Sequence, residues 1–399
     1  MMTPGDLPEN PGGDGNMMYS LQIINDHVYD RSWLLNNADR INSVIRATVN
    51  RGLYYHYAVD TLMNILPVML TSSEFQPWRH RLIEALVFAQ DLGDKDLLAR
   101  LSIALARYHN LIGEPTSAHA LLLRAQGYAD QRNEDYLLES YAGLIETYIL
   151  APHPRFDAAQ FGEALEIAAR SEREDLKAMI HQMIAVAHIH RQEMDLARNH
   201  VTLSAEIAVR LQEQNLLLRS LLIQATLLRQ LGDWQASAEV LRRARETYPK
   251  TNHLPKNYVL LCYEEGCVQL ELDQPAEALD RFREAVLHIG GRENAYDTGL
   301  CYVGLALACL KLRLMDEAAE AIEEAHSIWE YLGNAYMMAH ATYTRAFIEM
   351  ERSVETHRFA SQLFRRALEA AAKVERHAAR EQLERLILEK IALLDYPPD

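Results

Sequence analysis

Residues that interrupt helices are scarce in this chain. It has 17 Gly and 13 Pro among 399 residues, and several of these fall within the first 16 positions. Few breakers together with abundant Ala, Leu, Glu and Arg make the profile of a nearly all-helical protein. Cysteine is scarcer still. Cys262, Cys267, Cys301 and Cys309 are the four present, too few for a disulfide framework in so long a chain, and they point to a reducing cytoplasm. No CxxC pair occurs among them, and spacings of five and eight are foreign to zinc ribbons and fingers. Small buried residues inside helices are expected, with no metal and no cofactor.

Clustered positive charge is missing as well. The formal net charge is −16 and the basic residues are scattered among acidic ones. Nucleic acid is therefore not expected as a partner, because binding it needs a concentrated cationic stripe. Long apolar runs are also absent: the longest, Gly299 to Leu310, stops at Lys311, short of the ~18 residues that span a bilayer. No membrane association is expected. The acidic start of the chain, rich in Pro and Gly, lacks the basic and apolar regions of a secretion signal, and residues 1–18 are expected to form a disordered leader.

What is present is a repeat. Between Asp273 and Ala285, the residues Ala278, Phe282 and Ala285 form a small-large-small triplet on one helix face, and Gly266 lies twelve residues before the first of them. Two helices joined by a tight turn approach closely only where one offers Gly or Ala, and the large residue fills the groove beside that contact. The triplet recurs as Trp78/Leu82/Ala85, Ala118/Leu122/Ala125, Ala197/Val201/Ser204, Ser237/Leu241/Ala244, Ala318/Ile322/Ala325 and Ala360/Phe364/Ala367, with Phe161/Leu165/Ala168 a poorer fit. Successive triplets are 40, 43, 36, 40, 41, 40 and 42 residues apart, and turn signals such as Gly113-Glu114-Pro115, Gly232-Asp233 and Asp273-Gln274-Pro275 precede several of them. Eight units keep both spacing and residue class, which sets a period near 40.

On these residues the chain resembles the tetratricopeptide repeat (TPR) superfamily. Its period is similar to that of the longer MalT-like and kinesin-light-chain-like repeats rather than the form of about 34 residues. The resemblance runs from about Leu53 to Arg376 and implies an all-α, right-handed superhelical solenoid of antiparallel helix pairs. Ala or Ser often replaces the first-helix Gly, and the uneven steps imply irregular turns around Pro152 and Pro154.

The expected organisation is a leader over 1–18, an N-terminal helical segment over 19–52, about eight helix pairs over 53–376 and a C-terminal capping helix over 377–399. Leu34, Ala38, Ile41, Ile45 and Val49 predict one opening helix over 30–50. At the other end Leu383, Leu386, Ile387, Ile391 and Leu394 predict a single apolar face that covers the end of an open stack, closed by Pro397 and Pro398.

Catalytic motifs are missing. The sequence has no GxxxxGK[ST] phosphate loop, no GxGxxG after a strand, no HExxH pair and no GxSxG elbow. Arg51 to His56 and Arg352 to His357 fit the loose Rx4-6H spacing of HEPN-type ribonucleases, a spacing that 16 His and many Arg also produce by chance. His181 and His188 share a helix face, with His190 and His200 nearby. Such a group is either a metal or pH-sensing cluster or a set of ordinary packing and polar positions.

The resemblance places positions 2, 5, 9 and 12 of each first helix on a concave wall. Early units put Arg100, Ile103, Arg107 and Asn110 there. Central units put Met179, Met183, Val186 and Ile189, then Arg219, Leu222, Thr226 and Arg229. Later units put Leu260, Tyr263, Cys267 and Leu270, then Leu300, Val303, Leu307 and Leu310, then His340, Tyr343, Phe347 and Met350. The apolar part either docks a partner's amphipathic helix or apolar peptide, or is core. The arginines either receive ligand carboxylates or pair with glutamates of their own helices. Candidate partner-binding residues are therefore Arg100, Arg107, Arg219, Arg229, Tyr263, Tyr343 and Phe347. The function this implies is a non-enzymatic, cytoplasmic adaptor or regulatory subunit that holds a protein or peptide, such as an effector enzyme or regulator. The alternative is a peptide- or ligand-gated signalling receptor that switches partner choice. Self-association is compatible with either.

Overall fold

The computed structural model describes residues 7, 14–52, 54–69, 76–112, 114–129, 133–150, 159–248, 255–288, 295–374 and 378–395. Among these residues there are twenty α-helices and no strand. Contacts divide the chain into two compact units, Met1–Asn110 with Thr116–Gly143, and Leu111–Pro115 with Leu144–Asp399.

In the first unit, α3 (Ala38–Arg51) packs on α4 (Tyr55–Met69) and α5 (Gln76–Leu92), and α1 (Asp14–Asp26) packs on α3 and α4. Helix α1 starts inside the predicted leader, because Met17, Leu21 and Ile24 fall on one of its faces and are fully buried. The single helix predicted over 30–50 is two, α2 (Arg31–Asn36) and α3. The break lies at Asn37, whose backbone N–H donates back to Trp33 O and Leu34 O and whose Nδ2 donates to Trp33 O at 2.9 Å. Leu34, Ile41, Ile45 and Val49 are all buried, so the spacing read the face correctly across the break. Helices α6 (Lys95–Leu111), α7 (Pro115–Tyr128) and α8 (Glu134–Leu150) follow.

The second unit contains α9 (Ala159–Arg170), α10 (Glu174–His190), α11 (Met194–Leu211), α12 (Gln214–Gln230), α13 (Trp234–Thr247), α14 (Pro255–Glu271), α15 (Pro275–His288), α16 (Ala295–Lys311), α17 (Met315–Tyr331), α18 (Ala335–Arg352), α19 (His357–Ala371) and α20 (Ala378–Asp395). From α10 to α19 the helices pack as consecutive antiparallel pairs, the first helices of adjacent pairs touch, and α20 packs on α19. This is a TPR-like all-α stack. The eight triplets lie on α5, α7, α9, α11, α13, α15, α17 and α19, every second helix, and each triplet residue except Leu165 is buried. At α9 it is Ala164 that takes the buried place, because Phe161, Ala164 and Ala168 continue one face at helical spacing.

Phe282 shows what the triplet does. Its ring is fully buried, and a Cβ added to Gly266 of α14 would lie 2.8 Å from it. A Cβ on Gly304 of α16 would come closer still. The ring is thus wedged between the first helix of its own pair and the first helix of the next.

Tight turns join the helices. Between α10 and α11 the chain passes through Gln192 at φ 63°, with Gln192 N–H donating to Ile189 O and Glu193 N–H to His188 O. A left-handed residue with a side chain costs roughly 1 kcal/mol. Gln192→Gly is therefore expected to raise stability by about 0.5–1 kcal/mol, seen as a higher urea midpoint. A lower midpoint would show that glycine's freedom in the unfolded chain outweighs the relief.

In the capping helix α20, Leu383 and Ile387 are buried against Phe364 and Ala367, while Ile391 and Leu394 pack at the edge of the same cluster. Leu386, predicted on that face, is 38% exposed, because it sits beside the Leu383–Ile387 line and turns toward solvent. Pro397 and Pro398 lie outside the described residues, as do Pro152, Pro154, Gly113 and most of the predicted leader. No helix among the described residues is long and apolar enough to cross a membrane.

Candidate partner-binding face

The first helices of the second unit share one face. Met179, Met183 and Val186 on α10, Leu260, Tyr263 and Cys267 on α14, Leu300 and Leu307 on α16, and Tyr343 and Phe347 on α18 are all half-buried. Ile189, Leu270 and Leu310, at the last position of the same pattern, are buried. The face is therefore neither closed core nor free surface. Tyr263, Cys267, Leu300, Leu307 and Phe347 rest on the cluster built around Phe282 and Trp329 and keep an outward edge. At the far end other elements already lean on it: the Tyr343 ring lies 5.6 Å from that of Phe364, and the Lys390 ammonium of α20 lies 5.0 Å from the Phe347 ring.

Three of the four candidate arginines are paired within the chain. Arg100 pairs with Asp60 of α4 at 2.8 Å and Arg107 with Glu139 of α8 at 2.9 Å, both within the first unit. In the second unit Arg229 donates through Nε to Glu264 of α14 at 3.0 Å, and Thr226 Oγ1 donates to the same carboxylate at 2.8 Å. These pairs run between successive first helices rather than within one helix. Arg219 is half-buried on the same face. Arg100, Arg107 and Arg229 are each paired with a carboxylate of a neighbouring first helix of the chain itself.

Burial pushes the thiols of Cys262 and Cys267 up to about 12 and raises those of Cys301 and Cys309. A thiol so protonated at neutral pH is a poor nucleophile. His56 Nε2 lies 3.0 Å from Asp94 Oδ2, His357 Nε2 lies 3.2 Å from Met350 O, and Arg352 pairs with Asp316 at 2.8 Å. Of the singled-out histidines the fold brings His181, His188 and His200 together, while His190 is exposed. Among the described residues no group of three His, Cys, Asp or Glu side chains is arranged to hold a metal ion.

No protein-family profile matches this sequence. No curated protein matches it either. The fold does match solved structures. It is similar to the Rap protein complexed with competence and sporulation factor, at 16% identity and TM-score 0.56 over 74% of this chain and 80% of that one. It is similar to aspartyl phosphate phosphatase F from Bacillus subtilis, at 16% identity and TM-score 0.50 over 93% of this chain and 95% of that one. A signal transduction ATPase with numerous domains and a tetratricopeptide repeat sensor, from Pyrococcus horikoshii, matches 84% of this chain at 13% identity and TM-score 0.52. This chain spans 49% of that protein's length. At such identities the likeness is one of fold, and the fold is TPR-like.

Sequence reasoning missed the carboxylates that complete the arginine pairs. A signal existed, because Asp60, Glu139 and Glu264 lie 40, 32 and 35 residues from their arginines, about one repeat away.

Proposed function

We propose that this chain is a non-catalytic binding module that holds a protein or peptide against the shared face of α10, α12, α14, α16 and α18. One observation carries the reading: a row of apolar and aromatic side chains stays partly exposed on α10, α14, α16 and α18. Water-facing apolar rows of this kind mark interaction surfaces. Because the Arg229 charge on this face is already matched, the partner is expected to offer apolar side chains rather than acidic ones. An amphipathic helix or an apolar extended segment fits that chemistry.

An adaptor or regulatory role in the cytoplasm, acting on an effector enzyme or regulator, is the biological setting proposed for this face. A ligand-gated receptor that switches partner choice is the second reading. It is supported by likeness of fold to the Rap protein, which was crystallised with competence and sporulation factor.

The test begins with co-purification and mass spectrometry to identify a partner. Met183→Asp and Leu260→Asp then place a charge in the row at positions that are only half-buried. Each is expected to weaken binding at least tenfold, as the loss of a buried apolar contact predicts, while stability falls by no more than about 1 kcal/mol. Raised salt should leave affinity nearly unchanged, since apolar contacts are not screened. Undiminished binding by both variants would remove this face from consideration.

A further inference from the structure

Three imidazoles meet where α10 packs on α11. His200 of α11 lies against both His181 and His188 of α10. Its Nδ1 is 2.9 Å from Nδ1 of His181, and its ring is nearly parallel to that of His188, with centroids 5.6 Å apart and 11° between planes. Phe161 of α9 packs on the His188 ring at 5.5 Å. His188 Nδ1 meets Glu193 Oε2 at 2.6 Å, and the other oxygen of Glu193 lies 3.5 Å from Arg191 Nε.

The contact between two Nδ1 atoms has a defined proton capacity. It needs one donor and one acceptor, so it survives with both rings neutral or with one extra proton. A second extra proton turns N–H against N–H and sets two cations side by side. Neither His181 nor His200 has a carboxylate within hydrogen-bonding reach among the described residues. Phe161 faces the stack from α9, and Gln182 with Ser220 at 3.0 Å and Ser204 with Ser220 at 2.8 Å join α12 to this hairpin. The charged groups in contact, Glu193 and Arg191, sit at the His188 end.

We propose that this stack is a proton-operated joint, in which neutral imidazoles hold α10 and α11 together and acid drives the two helices apart. Burial lowers the pKa of His181, and burial together with the His181 and His188 charges brings that of His200 down to about 4. The sign follows. Both folded values lie below the ordinary histidine value of about 6.5, so the joint contributes fully above that pH and is lost as pH falls toward about 4. The same hairpin carries Met179, Met183 and Val186, so opening it would also remodel the proposed binding row. That consequence rests on the proposed function, whereas the joint itself does not.

The test is hydrogen exchange of the full chain at pH 7.5 and pH 5.0, in EDTA, with rates normalised to the intrinsic pH dependence of exchange. In the wild type, opening of the α10/α11 segment is expected to rise about tenfold relative to α16 and α17, a reduced figure for rings that are only half-buried. His200→Phe keeps an aromatic ring in the stack, removes the proton site and should abolish the rise. An equal rise in both proteins overturns the proposal. Should His200→Phe fail to fold, the assigned ring resonances of the wild type decide: His200 staying neutral below pH 5 upholds the joint, and its titration near 6.5 overturns it.

Discussion

Replacing Arg229 by Gln is expected to lower the unfolding free energy by about 3–5 kcal/mol. The Arg229 and Glu264 side chains are 15% and 8% exposed, so both charges sit largely out of water. Burial by itself would lower the Arg229 pKa, but the Glu264 carboxylate more than reverses this and holds it well above its ordinary value. Without the guanidinium, Glu264 keeps the Thr226 hydroxyl but faces the interior with an unmatched charge. Arg107→Gln is the control, because its pair with Glu139 is 42% and 26% exposed and such pairs contribute about 1 kcal/mol or less. Urea unfolding of both variants measures the contrast. Equal losses would sink the buried-pair account, and the double variant Arg229→Met/Glu264→Leu should recover most of the deficit, since well-packed apolar replacements of buried pairs are tolerated.

Phe282→Ala is expected to cost a similar amount, about 3–5 kcal/mol, for a different reason. The ring meets Gly266 and Gly304 and lies 6.0 Å from the Tyr263 ring, so its removal empties a space bordered by two helix pairs. Each pair leans on its neighbours, so unfolding should shift as one transition rather than expose α14 and α15 alone. Gly304→Ala drives a methyl group into the same ring and should cost roughly 1–3 kcal/mol by overpacking. Combining it with Phe282→Leu should regain part of that loss. A deficit below about 1 kcal/mol for Phe282→Ala would show that the ring is not a wedge.

Much of this architecture was readable because helix packing leaves a short-range signature. Ala278, Phe282 and Ala285 announce a second helix within about two turns of sequence, and Gly266 announces its partner. Gly304 belongs to the same contact but to the next pair, so nothing local to Phe282 pointed to it. The carboxylate partners of the arginines escaped notice for a related reason. Their positions on the shared face were legible, yet whether a cation on that face is satisfied depends on a carboxylate about one repeat away, as Glu264 is for Arg229. The opening region was misread at Asn37, where the apolar spacing continues through a break made by backbone hydrogen bonds. The histidines were half legible: the seven-residue spacing put His181 and His188 on one face, but only the packing of α11 supplied His200.

The cross-helix charge pairs also limit how this array can change in length. A stack of self-contained repeats tolerates gain or loss of one unit at any seam. Here a seam between α13 and α14 divides Arg229 and Thr226 from Glu264, so deleting or duplicating a unit there strands one buried charge, and inserting an unlike unit strands both. A neighbouring unit is acceptable only if it brings the matching carboxylate, which makes the order of the repeats, and not merely their number, part of what the sequence encodes.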